Sequence, residues 1–219
     1  MSSDKFEPIE SCSILSLTEK TLFLLCLASA KRVSEVQALS RDVGFSSGGM
    51  AVSLLHGFRA KNDRKCRGLP RSCFIQNLTD LVGVEEEAKL CPVRAVKAYL
   101  RRTKDAVGSS HCHLFASPRT PSRPMSKNGI SYFLRLLIKE AHKELDPDML
   151  PVLKVKPHEV RAVSTSVAFS HNLSLEAVME AAQWRCQSVF AGHYLKDVAL
   201  MYENCRTLGP LVSAGLVIA

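Results

Sequence analysis

The sequence has no apolar run long enough to cross a membrane. The longest extends from Thr21 to Ala30, about half of the ~20 residues that a spanning helix needs. We interpret this run as a buried helix and expect no membrane partner.

The eight cysteines lack any C-x-x-C spacing, and no N-terminal stretch has the pattern of a secretion signal. Reduced thiols in an intracellular setting are therefore expected rather than a disulfide framework. The tract His111-Cys112-His113 contains metal-binding side chains, but no second ligand pair with zinc spacing accompanies it. We expect no structural metal and no cofactor.

Aromatic residues are few, with one tryptophan and four tyrosines in 219 residues. Core packing is the usual role of a single tyrosine. Tyr99 and Tyr132 lie on predicted helix faces with apolar neighbours, so we expect both in the core.

Positive charge, by contrast, is abundant and clustered. The net charge is +8, with six cations against one acid between Arg59 and Arg71 and a second basic group between Arg94 and Lys104. Clustered charge of one sign indicates a polyanion partner. For charge alone, a solvated basic face is an equally common explanation.

Hydrophobic residues form 46% of the chain, which at this length favours one globular domain. Helical patterns dominate, and a capping box at Ser16 and Glu19 precedes the first. The predicted helices are Leu17 to Ala30, Val33 to Leu39, Pro92 through Leu100, Ile130 to Glu144, one from Pro157, one after Ser174, and Ser188 to Val198.

Strand patterns are confined to one region. Gly48-Gly49 indicates a turn, Met50 to Leu55 a strand, and Leu69 to Ile75 a return strand, while three prolines make Ser117 to Pro124 an irregular loop. The predicted fold class is mostly α with a small antiparallel β-sheet. We divide the chain into a poorly ordered leader (residues 1–15), the folded domain (16–205) and a C-terminal tail (206–219).

Arg32 lies at the junction of the first two predicted helices, in A-K-R-V-S-E-V. A buried arginine needs a fixed carboxylate, and Glu35, one turn later, can supply it. For this heptapeptide alone, a surface ion pair is the better explanation.

Lys61 lies in the predicted turn of the basic hairpin, with Lys65 as its rival in the same loop. A lysine on such a turn can donate a proton to a leaving oxygen. A plain phosphate contact is the commoner role. The neighbouring cations expected to contact DNA are Arg59, Arg64, Lys65 and Arg67.

The stretch P-H-E-V-R places His158 and Arg161 three residues apart, on one face of a helix and near its N-terminal end. Anions bind readily at that end. Arg161 can hold phosphate oxygens in a bidentate contact, and His158 can carry a proton near neutral pH. Most isolated H-x-x-R matches are surface residues.

Trp184 and Tyr194 lie ten residues apart near the end of the predicted domain. A nucleophilic tyrosine needs its phenol, with an unperturbed pKa of about 10, deprotonated or bound to a base, which a cationic pocket favours. Adjacent helical residues face different directions, so His193 is a poor candidate for that base.

Together these residues resemble the catalytic domain of the tyrosine recombinases, the phage-integrase-like enzymes. The resemblance covers most of residues 15–200 and is closest to recombinases of DIRS-type and Crypton-type mobile elements, DIRS-type preferred. The matching stretches are A-K-R-V-S-E-V-Q-A-L (30–39), C-P-V-R-A-V-K-A-Y-L (91–100), M-S-K-N-G-I-S-Y-F-L (125–134), H-E-V-R-A-V-S-T-S-V-A (158–168) and A-A-Q-W-R-C-Q-S-V-F-A-G-H-Y-L-K-D-V (181–198).

The resemblance implies a metal-independent enzyme that breaks and rejoins DNA. Arg32 and Arg161 would bind the scissile phosphate, and Tyr194 would form a 3′-phosphotyrosyl bond. Lys61 would protonate the leaving 5′-oxygen and His158 would assist. Trp184 would replace a second histidine and donate its indole N–H to a phosphate oxygen.

The resemblance also implies double-stranded DNA as partner, tetramers of subunits on DNA, a nuclear location and no small-molecule substrate. Family members usually carry an N-terminal DNA-clamping domain, for which fifteen residues are too few, so we expect a weakened grip on DNA. The alternatives are a non-catalytic DNA-binding protein derived from such a recombinase and a protein-interaction domain. An intact set of six residues favours the enzyme.

Overall fold

The structure, a computed structural model, describes residues 4–59, 72–78, 89–142, 156–157, 159–170 and 174–181. Within these residues the chain is rich in helix and has one small antiparallel sheet, which confirms the predicted fold class. The helices are α1 (Ile14–Ser29), α2 (Val33–Gln37), α3 (Pro92–Arg102), α4 (Lys104–Val107), α5 (Lys127–His142), α6 (Glu159–Ser170) and α7 (Leu175–Ala181). The strands are β1 (Gly44–Ser46), β2 (Gly49–Ser53) and β3 (Ser72–Gln76).

Helix α1 begins earlier than the sequence predicts. Ser13 is its N-cap, and the Ser13 hydroxyl accepts a hydrogen bond from the Ser16 N–H at 3.0 Å. Ser16 and Glu19 are buried within the helix, so the predicted capping box is wrong. The chain leaves α1 at Ala30, whose positive φ of 47° places it in the left-handed region.

The N-terminal segment, residues 4–13, packs on the domain. Phe6 is 6% exposed and Ile9 is fully buried. Arg102 of α3 donates hydrogen bonds to the carbonyl oxygens of Ile9 and Cys12 at 2.9 and 2.7 Å. Apolar side chains at two positions and a half-buried arginine of α3 therefore hold this segment against the domain.

The sheet has three antiparallel strands in the order β1-β2-β3. Met50 in the central strand pairs with Phe45 on one side and Ile75 on the other. The predicted hairpin of β2 and β3 is confirmed, but β1 was not predicted, and Gly49 is the first residue of β2 rather than part of the turn. The connection at residues 60–71 lies outside the described residues.

The core forms mainly between α1, α3 and the sheet. Tyr99 of α3 is 1% exposed, its hydroxyl accepts a hydrogen bond from the Ala116 N–H at 3.0 Å, and its ring lies 5.5 Å from that of Phe115. Tyr132 is 56% exposed, so its predicted core position is wrong. None of the described helices is both long and apolar enough to span a membrane.

Candidate functional site

The first half of the candidate site is the turn between α1 and α2. Arg32 is the residue immediately before α2, with extended backbone angles. Its backbone N–H donates to Glu35 Oε2 at 2.7 Å, and its guanidinium Nη1 donates to Glu35 Oε1 at 3.3 Å. Glu35 thus holds the backbone and the side chain of Arg32 at once.

Helix α6 supplies the second half. Arg161 Nη1 donates a hydrogen bond to the carbonyl oxygen of Ala30 at 2.8 Å and lies 3.8 Å from Glu35 Oε2. The Ser164 hydroxyl donates to the carbonyl oxygen of Leu27, so a second contact joins α6 to the end of α1. Two arginines that are 129 residues apart in the sequence therefore share one carboxylate.

The cluster of Arg32, Arg161 and Glu35 has a net positive charge that can attract an anion. Burial is the largest cause that lowers the pKa of Arg161 to about 10, repulsion from Arg32 lowers it further, and Glu35 opposes both. At neutral pH Arg161 is still a cation. Two guanidinium groups and one carboxylate give these three side chains a net charge of +1. The Arg32 side chain is 28% exposed, so an anion in solvent can contact it.

Lys31 is a residue of this turn that the sequence interpretation missed. It is only 7% exposed, although lysine is rarely buried unless it is paired. The sequence could have drawn attention to Lys31, because it directly precedes Arg32, which was already a candidate site residue.

The structure brings together Arg32, Arg161 and Glu35, and shows Arg59 as an exposed residue at the end of the segment after β2. The other predicted site residues lie outside the described residues, and their roles stay predictions. They are Lys61, Arg64, Lys65, Arg67, His158, Trp184 and Tyr194.

The second basic cluster divides into internal and exposed cations. Arg94 makes a bidentate contact with Glu7, at 2.8 and 2.9 Å, and Arg102 binds backbone carbonyls of the N-terminal segment. Lys97 and Arg101 remain exposed beside a groove of about 310 Å³. Two cations of this cluster therefore stabilise the fold instead of meeting a polyanion.

The chain matches no family model and no curated protein. Among solved structures, it is similar to the XerH site-specific recombinase bound to its palindromic difH substrate in a post-cleavage complex, with 12% identity and a TM-score of 0.58 over 90% of this chain and 48% of that one. It is also similar to the XerA recombinase, with 18% identity and a TM-score of 0.55 over 87% of this chain and 63% of that one.

The chain thus spans about half the length of XerH and less than two thirds of XerA. At these identities the similarity concerns the fold, and it agrees with the helix-rich architecture and the three-stranded antiparallel sheet. This chain therefore shares its fold with these two recombinases over most of its length.

Proposed function

We propose that this chain is the catalytic domain of a site-specific DNA recombinase that works through a 3′-phosphotyrosyl intermediate and needs no metal. The observation that supports the proposal most strongly is the arginine pair. Arg32 and Arg161 come from separate elements and converge on the buried Glu35. A pair fixed in this way suits a phosphodiester, because phosphoryl transfer depends chiefly on positioning and charge stabilisation.

Glu35 has a positioning role in this proposal. Its two oxygens are turned toward Arg32 and Arg161, so the carboxylate fixes both guanidinium groups before DNA arrives. A guanidinium has five N–H donors in a planar fork. Contacts with one carboxylate oxygen therefore leave the Arg32 fork with donors for the non-bridging oxygens of a phosphate.

The remaining steps use residues outside the described part of the chain. The phenolic oxygen of Tyr194 attacks phosphorus, a new P–O bond forms at the 3′ side, and the bond to the 5′-oxygen breaks. Lys61, or Lys65 in its place, gives the leaving oxygen its proton, while His158 assists and Trp184 donates to a phosphate oxygen. Attack by a second 5′-hydroxyl reverses these steps and joins a new strand.

The partner in this proposal is double-stranded DNA. XerH was captured on its difH substrate, and the cations Arg59, Arg64, Lys65 and Arg67 form a basic surface suited to the phosphate backbone. We further propose that the subunits assemble as tetramers on DNA, act in the nucleus, and integrate or move a DIRS-type or Crypton-type element.

A suicide DNA substrate tests the proposal. A nick close to the cleavage site lets the short 5′-hydroxyl fragment diffuse away, so the covalent product accumulates. Because the target is unknown, terminal repeats flanking the coding locus are screened as substrates. We expect a protein–DNA adduct that resists denaturant, is absent in Tyr194→Phe, and forms without added metal in the presence of chelator.

The matched control is Tyr132→Phe, which removes a phenol that is exposed on α5 and should leave the adduct unchanged. DNA binding without any adduct would support the non-catalytic DNA-binding alternative. Absence of binding even at low salt would contradict both readings and favour a protein-interaction domain.

A further inference from the structure

Two neighbouring histidines among the described residues have ring nitrogens without partners. His111 and His113 follow α4 in the chain, and their ring centroids lie 5.8 Å apart with the planes at 75°. The Nδ1 atom of each ring is buried and makes no hydrogen bond in the structure. A buried nitrogen that stays unsatisfied is unfavourable, and two such nitrogens on neighbouring rings suit a ligand that both rings share.

The tautomer of His111 suits a metal ligand. Its Nε2 atom lies 3.2 Å from the carbonyl oxygen of Pro121. A carbonyl oxygen only accepts hydrogen bonds, so Nε2 carries the proton and Nδ1 carries a free lone pair. Histidines that bind metals are commonly oriented in this way, with the other ring nitrogen donating to a carbonyl or carboxylate.

The backbone that carries the pair is fixed on both sides. His113 forms an antiparallel bridge with Ser40, and the Arg41 N–H donates to the carbonyl oxygen of Cys112 at 2.7 Å. The backbone of the tract is therefore held in place by the segment at Ser40 and Arg41. Burial, followed by the nearby His111, lowers the pKa of His113.

We propose that His111 and His113 bind one divalent transition-metal ion, with Zn²⁺ as the reference ion, through their two Nδ1 atoms. With both Nδ1 atoms turned toward the ion, a metal–nitrogen bond of about 2.0 Å and the tetrahedral angle place the two ring centroids roughly 5.2 Å apart. The observed separation is 5.8 Å. A small closing movement of the rings reaches the tetrahedral angle.

Water completes the coordination in this proposal. The described residues contain no group of three or more histidine, cysteine or acidic side chains able to hold a metal. Cys112 lies between the two histidines, but alternate residues of an extended segment face opposite sides, so its exposed thiol is directed away. Two imidazoles favour zinc or copper over magnesium and calcium, which prefer oxygen ligands.

The test is a Zn²⁺ titration of the untagged protein, followed by ¹⁵N NMR of the histidine rings. Before zinc is added, the spectrum should show His111 as the Nε2–H tautomer. Zinc should shift the Nδ1 signals of His111 and His113 together and saturate at one ion per chain. His111→Gln and His113→Gln should each weaken binding at least about tenfold.

Two matched variants separate this site from others that attract zinc. Cys112→Ser removes the adjacent thiol, and His142→Gln removes a histidine of α5 whose Nδ1 lies 2.7 Å from the Ile138 carbonyl oxygen; both should bind zinc as the wild type does. Zinc binding that depends on Cys112, or Nδ1 signals of the wild-type protein that stay unchanged at about 1 mM zinc, would overturn the proposal.

Discussion

Glu35 is 2% exposed, and its two carboxylate oxygens face different arginines. The spacing of Arg32 and Glu35 made their contact predictable, because residues three apart on a helix are neighbours. Nothing local predicted that Arg161 would donate to the carbonyl oxygen of Ala30. That contact depends on how α6 packs against α1, which is a property of the whole fold.

Replacing Glu35 by glutamine should destabilise the domain by about 3 kcal/mol, because it leaves the mostly buried Arg161 without its carboxylate. The free energy of unfolding in urea measures this effect. The same variant should also weaken adduct formation on a suicide substrate, since the carboxylate that contacts both guanidinium groups is then lost.

The control is Glu176→Gln, which changes an exposed glutamate in the first turn of α7 and should alter the free energy of unfolding by less than about 0.5 kcal/mol. Equal effects of the two substitutions would show that Glu35 does not hold the arginines.

At the scale of elements, β2 depends on the absence of a side chain at its first residue. A Cβ atom on Gly49 would lie 2.2 Å from the carbonyl oxygen of Ile75 and 2.9 Å from the Phe74 ring. Backbone of the paired strand β3 cannot move away without breaking the sheet. Gly48, one residue earlier, has open space around a Cβ atom.

Gly49→Ala should therefore cost about 2 kcal/mol of unfolding free energy, whereas Gly48→Ala should be nearly neutral. Thermal unfolding of both variants checks the difference. The basic connection between β2 and β3 contains Lys61, so Gly49→Ala should also reduce DNA binding at constant salt. Equal stabilities of the two variants would contradict the strand pairing described above.

The N-terminal segment is attached to the domain through Glu7, which contacts Arg94 and the fully buried Lys20. Burial alone would raise the pKa of Glu7, but the hydrogen bonds from Arg94 and Lys20 outweigh it and lower the pKa from 4.5 to about 2. A depressed pKa contributes stability that is fully present above pH 4.5 and is lost as the pH falls to about 2.

We expect Glu7→Gln to lose about 2 kcal/mol at pH 7 and to show a flatter decline in stability than the wild type between pH 4.5 and about 2. Unfolding in urea across this pH range measures both. Glu10→Gln is the control, because Glu10 is largely exposed and 4.0 Å from Arg94. Parallel pH profiles of wild type and Glu7→Gln would show that Glu7 does not anchor the segment.

Most element types were predictable, but their ends were not. Apolar spacing identified α1, α3 and α5, whereas Ser13 rather than Ser16 caps α1. Strand β1 has only three residues and all are exposed, so no hydrophobic alternation marks it. The N-terminal segment was predicted to be poorly ordered because its anchors, Arg94 and Arg102, lie more than 80 residues away in the sequence.

At the scale of the whole molecule, positive charge has two uses that composition alone does not separate. Arg94 and Arg102 stabilise the fold, whereas Arg59 is exposed beside the basic connection.

If that connection faces DNA, Arg59→Ala should reduce the slope of log affinity against log salt by about 0.9. Arg101→Ala, on the exposed face of α3, should leave the slope unchanged, and fluorescence anisotropy at several salt concentrations compares them.

The order and contexts of six scattered residues predicted the fold, which the similarity to XerH and XerA supports. Sequence spacing could not predict three-dimensional relations between distant segments, such as the approach of Arg161 to Glu35 and to the carbonyl oxygen of Ala30. Those depend on packing that forms only when the chain has folded.

The measurement that tests the central claim most directly is the identification of the residue that carries DNA in the trapped adduct. The adduct is digested with protease and nuclease, and mass spectrometry of the modified peptide then identifies the residue that carries the nucleotide. The account predicts a nucleotide bound to Tyr194 through its 3′-phosphate. A nucleotide on Tyr202, on a residue other than tyrosine, or bound through a 5′-phosphate would contradict it.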